Sequence, residues 1–289
     1  MIEENGSQTA LITARMRAIH QLYDDKPLIL NDPIAVTLLG PKAESDLKAT
    51  LSFHQGTALT ALRRHVVLRA RYCEDRLGQA ITRGIAQYII VGAGYDTFAF
   101  RQPPWARDLT IIEIDHPATQ QAKQSLLRSA GLPTPDNLQF VGIDLEQETL
   151  LDGLLRAGIN TTVPSYFSWL GVTMYLTSEA INRTLMAFAS FPANSEVTLT
   201  YAPAPDPTLL QSEVATEIRN RLSARTGTER FLSYFEPDKM ESKLRTCGFS
   251  QVETLTSEAA HNLYLADKPY LNKSHQPTGR ATGIVSALV

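Results

Sequence analysis

Ile89-Ile90-Val91-Gly92-Ala93-Gly94-Tyr95-Asp96-Thr97 is the stretch whose reading decides the fold: an apolar, β-rich run, begun at Gln87-Tyr88, that stops on glycine. A run without polar alternation is the pattern of a parallel strand buried on both faces. Glycines at 92 and 94 let the chain turn sharply and let a ligand approach the backbone closely. A dinucleotide fingerprint would carry a third glycine at position 97, where a helix start meets a pyrophosphate, but this chain has Thr97. The turn therefore suits a nucleoside without a pyrophosphate.

Working outward, residues 109–115, 138–143, 165–171, 196–201 and 251–255 repeat the short apolar pattern, and 283–289 closes the chain with another. Helical signals separate the first of these runs. One opens at Pro117 and ends near Gly131, another covers 178–190, and a third runs from Pro237 to Cys247 before Gly248, the first and third with the usual placement of proline in and glycine out. Alternating strands and helices predict a doubly wound, mostly parallel α/β sheet with one late hairpin strand.

The N-terminal third is different. Residues 9–23 and 57–81 read as helices, and Asn31-Asp32-Pro33 starts a short one. In the long helix Leu59, Leu62, Val66, Ala70, Cys73, Leu77 and Ile81 form one stripe, and at about 100° per residue Arg63 and Arg69 fall on its two edges. Only these edge arginines face a cleft easily; Arg64 and Arg71 point away. The expected division is a helical cap over 1–80 and a Rossmann-like core over 81–289. The proline-rich break after Tyr201 marks an insertion around 202–235.

Two carboxylates mark a ligand side. Asp115 ends the second strand in Glu113-Ile114-Asp115, about 20 residues beyond the glycines, where a carboxylate accepts hydrogen bonds from ribose hydroxyls. It is equally suited to capping the helix at Pro117, and Glu113 is the next candidate for the ribose. Asp144 ends the third strand, where it is placed to bind an adenine amino group or to stand as a solvated turn residue. Tyr175, after strand four, either faces the reacting group or makes a structural hydrogen bond. His20, His54, His65 and His261 read as surface or cap residues and His116 as a turn residue.

Composition limits the classes. With 289 residues, 43% hydrophobic and 20% charged, the chain has globular proportions, and a net charge of −3 without a basic run gives no footprint for nucleic acid. No apolar stretch approaches the ~20 residues of a membrane span, and the N-terminus lacks a secretory pattern, so a cytoplasmic location is expected. Cys73 and Cys247 form no CxxC pair and no histidines form HxxxH, so no metal site is expected.

These motifs together resemble the leucine carboxyl methyltransferase-like superfamily, in particular its bacterial S-adenosylmethionine-dependent branch. The resemblance rests on Thr9-Ala10 with Arg17-Ala18, Asn31-Asp32-Pro33-Ile34-Ala35, Arg69-Ala70-Arg71-Tyr72, the Gly92–Thr97 turn and Glu113-Ile114-Asp115-His116-Pro117. It continues through Asp144-Leu145, the run from Trp169 to Leu176 and Leu232-Ser233-Tyr234-Phe235-Glu236-Pro237. It implies a class I methyltransferase fold with a helical N-terminal cap and S-adenosyl-L-methionine as cofactor. By the same resemblance Arg69 pairs with the methionine carboxylate, Gly92 and Gly94 line the methionine portion and Asp115 holds the ribose, with Ala93, Asp96, Thr97, Glu113 and Leu170 completing the expected cofactor-binding set. Asp144 and Leu145 flank the adenine. Related carboxyl methyltransferases carry a glutamate where this chain has Leu170, which leaves the cofactor ammonium without that contact.

The implied activity is methyl transfer to oxygen, with a small carboxylic acid as acceptor. A carboxylate, with a pKa near ~4, is already a nucleophile at neutral pH, whereas a phenol near ~10 needs a base. Arg17 and Arg63 are the candidates for orienting the acid, with Arg17 and Tyr175 as catalytic candidates. The expected partners are that acceptor and a second copy in a homodimer. A nicotinamide-dependent oxidoreductase, or a protein of this fold that binds the cofactor without methyl transfer, are the competing classes.

Overall fold

The computed structural model describes residues 6–51, 57–203, 230–266 and 281–289. Four helices precede the first strand among these residues: α1 (Gln8–Tyr23), α2 (Pro33–Leu38), α3 (Ala43–Ala49) and α4 (Thr57–Thr82). Then follow β1 (Gln87–Val91), β2 (Thr110–Asp115), α5 (Pro117–Ser129), β3 (Leu138–Gly142), α6 (Leu150–Arg156) and β4 (Ser165–Trp169). The chain goes on through α7 (Ser178–Ala189), β5 (Glu196–Thr200), α8 (Pro237–Cys247), β6 (Gln251–Thr256), α9 (Ser257–Tyr264) and β7 (Ala281–Leu288).

The sheet order is β3-β2-β1-β4-β5-β7-β6, with β7 antiparallel to both neighbours and the pairs among β1 to β5 parallel. This is the expected α/β class I Rossmann-like architecture. The late strand inserts between β5 and β6. The chain reverses direction across β1, going to β2 and β3 on one side and to β4 and β5 on the other, so a crevice opens at the carboxyl ends of β1 and β4.

Strand alternation divides the core into two layers. Ile89 and Val91 join Ile112, Ile114, Phe167, Trp169, Val197 and Leu199 on one face, against α6, α7 and α8. Tyr88, Ile90, Ile111 and Tyr166 face the other way, onto Cys73, Leu77 and Ala80 of α4. Leu77, fully buried, contributes on the order of 1.5–3 kcal/mol from removal of its side chain from water. The second half of α4 is thus part of the sheet layer. Its first half packs Leu59 and Val66 against Met16 of α1, so one helix runs across the boundary expected at residue 80.

Local chemistry sets the helix starts. Asp32 accepts from Ala35 N at 3.1 Å with Pro33 in the first turn of α2, and His116 Nδ1 accepts from Ala118 N at 3.2 Å ahead of Pro117. α8 stops at Gly248, whose φ of 110° is one that side chains rarely adopt. Strand four ends at Trp169, two residues short of the expected position, because Gly171 turns the chain with φ of 78°.

The insertion expected around 202–235 falls mostly outside the described residues, as does His54. Its flanks are tied down: Pro203 bridges to Phe235, and Leu232 N donates to Met174 O at 2.7 Å. Among the described residues no helix is long and apolar enough to cross a membrane.

Candidate functional site

A cavity of about 1030 Å³ occupies the crevice at the carboxyl end of the sheet. Its floor is the glycine turn. Gly92 and Gly94 have φ of 69° and 50°, a backbone that favours glycine. A Cβ on Gly92 would lie 2.2 Å from Val172 Cγ2, and one on Gly94 would lie 3.0 Å from the Ala10 Cβ. The turn is therefore pressed against the loop after β4 on one side and covered by α1 on the other. Ser7 ties the start of α1 down by donating its N–H to Thr119 Oγ1 at 3.2 Å.

Asp115 holds the turn from the next strand. One carboxylate oxygen accepts from Gly94 N at 2.6 Å and the other from His116 N at 2.7 Å. Burial raises its carboxyl above the ordinary value, and the two backbone N–H groups partly offset this. Asp144 and Leu145 line the cavity beyond it, with His116 Nε2 3.8 Å from Asp144. Oxygens that each accept one bond keep a further lone pair, so Asp115 remains able to receive ribose hydroxyls.

On the wall formed by α4, Arg69 reaches the loop after β4. A Cβ on Gly171 would stand 2.6 Å from both terminal nitrogens of its guanidinium, so glycine there is what makes room for the cation. Among the described residues no carboxylate lies within 4.0 Å of Arg69. Burial lowers its pKa to about 10. A cation desolvated to this extent without a fixed partner is a place for an anion.

Several expected contacts are corrected. Thr97 does not face the cavity; its hydroxyl donates to Asp32 at 2.7 Å and it is 1% exposed, because the turn runs straight into the 3-10 turn Phe98–Phe100. Glu113 is fully buried and paired with Lys123 of α5, and burial pushes its carboxyl up to about 7 against the pull of that lysine. It shares the Asp115 face of β2 but lies one pleat deeper and does not line the cavity. Arg63 is held by Asp24, at 2.8 Å from Nη2, and does not line the cavity. Arg17 does line it, yet its guanidinium is engaged by Asp32 and Asp96, each at 2.7 Å, so it holds the turn instead of an acceptor.

Two histidines expected at the surface or in the cap lie in the cap helices, His20 buried and His65 half-buried. His20 is 4% exposed and its Nε2 accepts from Ile29 N at 3.2 Å and Leu30 N at 3.3 Å. His65 lines the cavity, and burial, with Arg69 nearby, pushes its pKa down to about 3, so the ring is neutral. Glu74 also lines the cavity. The helical period contains the signal for His65: it is four residues before Arg69 and shares its edge of α4.

The model of the leucine carboxyl methyltransferase family matches residues 10–189, more than half the chain and all of the turn, Arg69 and the loop after β4. The chain belongs to this family. YktD of Bacillus subtilis, a proposed S-adenosyl-L-methionine-dependent methyltransferase, is 33% identical over 293 aligned residues, 93% of this chain and 94% of its own. A relative from Mycobacterium avium proposed to have the same activity is 28% identical, over 71% of this chain and 72% of its own. Two solved structures share the fold. A DUF574-family protein of Streptomyces avermitilis superposes with a TM-score of 0.56 at 14% identity, over 96% of this chain and 95% of its own. A proposed methyltransferase of Thermobifida fusca gives 0.54 at 16%, over 87% and 91%.

Within this family of S-adenosylmethionine-dependent methyltransferases, the cavity fits the cofactor by its own chemistry. A glycine cradle in which a Cβ would collide, a guanidinium with no carboxylate within 4.0 Å among the described residues and a strand-end carboxylate line the same cavity. Leu170 lines the wall and packs against the apolar layer of Cys73, Ala93 and Tyr166, so it supplies shape and no charge.

Proposed function

We propose that this methyltransferase acts on a carboxylate oxygen of a small acid. In this reading Arg69 holds the methionine carboxylate of S-adenosylmethionine, Gly92 to Gly94 receive its methionine chain, Asp115 its ribose, and Asp144 with Leu145 its adenine. Bound there, the cofactor would supply a methyl group on a sulfonium sulfur, an electrophile for an acceptor oxygen, with the neutral thioether as leaving group. The protein's task is alignment at ~3 Å contact distances, and no proton has to move.

The state of the cavity bases is what supports a carboxylate over a phenol. His65, beside Arg69, is pushed to about 3, too weak a base to take a proton from a group near ~10. His116 is engaged elsewhere, its Nδ1 accepting from Ala118 N and its Nε2 facing Asp144. An acceptor that is already ionised needs neither. Tyr175, on the 3-10 turn Thr173–Tyr175, is proposed to face the transferring methyl, its ring packed edge-on against Phe231 at 5.2 Å. Arg17 supports the reaction through Asp96.

The test is to incubate the protein with methyl-labelled S-adenosylmethionine and a panel of small carboxylic acids and phenols, then treat the product with mild base. A methyl ester releases its label and an aryl methyl ether keeps it. Release is the expected outcome, and a base-stable labelled product overturns the carboxylate assignment.

A further inference from the structure

Below the glycine turn lies a buried ionic cluster in which the charges do not balance. Among the described residues Asp32, Glu74 and Asp96 meet two guanidinium groups within 4.0 Å, those of Arg17 and Arg101. Arg17 spans Asp32 and Asp96, both at 2.7 Å. Arg101 holds Glu74, donating from Nη1 at 2.9 Å, and approaches Asp32 at 3.4 Å. Asp32 is shut in, at 1% side-chain exposure, whereas Glu74 and Asp96 line the cavity at 16% and 20%. Lys123 also acts on Asp96 but is itself paired with Glu113, so against Arg17 and Arg101 the three carboxylates carry one surplus negative charge, and two of the three line the cavity. An uncompensated charge at a partly desolvated wall destabilises the site unless a cation meets it.

Protonation of Asp96 does not relieve the imbalance. Burial opposes ionisation of Asp96, but Arg17 and Arg101 outweigh it and hold the carboxyl below the ordinary range. Across the same cavity Arg69 presents the opposite case, a cation with no carboxylate within 4.0 Å among the described residues. A free cation and a separate surplus anion in one cavity are the complement of an α-amino acid.

We infer that Glu74 and Asp96 together receive the ammonium group of the bound cofactor's methionine portion while Arg69 receives its carboxylate. This deepens the proposed reading and rests on it. Asp96 uses one oxygen for Phe98 N at 2.7 Å and the other for Arg17, and each retains a lone pair for a further N–H. Glu74, on α4 five residues after Arg69, lines the same cavity and adds charge next to Cys73, which belongs to the layer that contains Leu170.

The experiment is calorimetric titration of the native protein, Glu74→Gln, Asp96→Asn and Glu74→Asp. The ligands are S-adenosylhomocysteine and its des-amino analogue, in which hydrogen replaces the α-amino group. The native protein is expected to prefer S-adenosylhomocysteine by at least about 10-fold. Each neutralising variant is expected to bind it about 10-fold more weakly while changing analogue affinity less than about 2-fold, and Glu74→Asp to recover most of the loss. An equal loss for both ligands would make the pair structural supports of Arg17 and Arg101 and overturn the inference, as would no loss at all. Should a variant fail to fold, the native protein decides: no preference for the amino-bearing ligand overturns the inference. Binding of neither ligand overturns the cofactor assignment itself, a different failure with a different signature.

Discussion

Replacing Arg69 with alanine is expected to weaken S-adenosylhomocysteine binding by about 100-fold, ~2.7 kcal/mol, the size of a lost charge-assisted pair in a dry site. The expectation comes from the unpaired state of the guanidinium. Burial depresses its pKa to about 10, and no carboxylate of the described residues stands within 4.0 Å, so its partner in the bound state is the ligand. Stability should move the other way or not at all, because an unpaired buried cation is a cost to the folded protein. Gly171→Ala gives an independent check, since its Cβ would sit 2.6 Å from the guanidinium nitrogens and must displace them. Both variants, measured by calorimetry beside thermal midpoints, should lose affinity together. Unchanged affinity in Arg69→Ala with a folded protein would assign the methionine carboxylate elsewhere.

Asp115→Ala is expected to weaken the same ligand by about 10- to 100-fold, ~1.5–3 kcal/mol, while the protein stays folded. Two losses combine here. The ribose loses its acceptor, and Gly94 N and His116 N lose the oxygens that now stand 2.6 and 2.7 Å away, so the turn itself loosens. The thermal midpoint should fall with them. A variant that binds normally would reduce Asp115 to a turn support and send the search for the ribose partner to the other polar residues of the cavity.

What the sequence made legible is the ligand side of the sheet. Glycine at 92 and 94, a strand ending on Asp115 and another followed by Asp144 are local features, and each rests on backbone conformation or on strand period. The errors arose where a local pattern indicates a direction but not a partner. Arg63 and Arg69 occupy equivalent edges of α4, and only the folded cap reveals that Asp24 awaits one of them. Thr97 occupies a fingerprint position, yet Asp32, 65 residues away in sequence, claims its hydroxyl. Glu113 shares a face with Asp115, but depth along a strand depends on which helix covers it, here α5 with Lys123. His65 stands four residues before Arg69, so the helical period places it on the same edge of α4. Glu74 could not be found that way. Its significance comes from a charge count over Asp32, Asp96, Arg17 and Arg101, which three separate segments bring together.

The cap also gains a physical reason. α1 covers the glycine turn through Ala10 and carries Arg17 to Asp96, so the fold of the N-terminal segment and the shape of the cofactor site are one arrangement. α2 contributes Asp32 to the same cluster from Asn31-Asp32-Pro33, where one carboxylate caps its helix, accepts from Thr97 and meets Arg17.

The most direct test of the central claim, that this cavity is a site for S-adenosylmethionine, is a calorimetric titration of the native protein with S-adenosylhomocysteine and, separately, with NAD. The result expected is saturable one-site binding of S-adenosylhomocysteine and no detectable heat from NAD, because a turn with Thr97 in place of a third glycine does not present a helix start to a pyrophosphate. Tighter binding of NAD would contradict it.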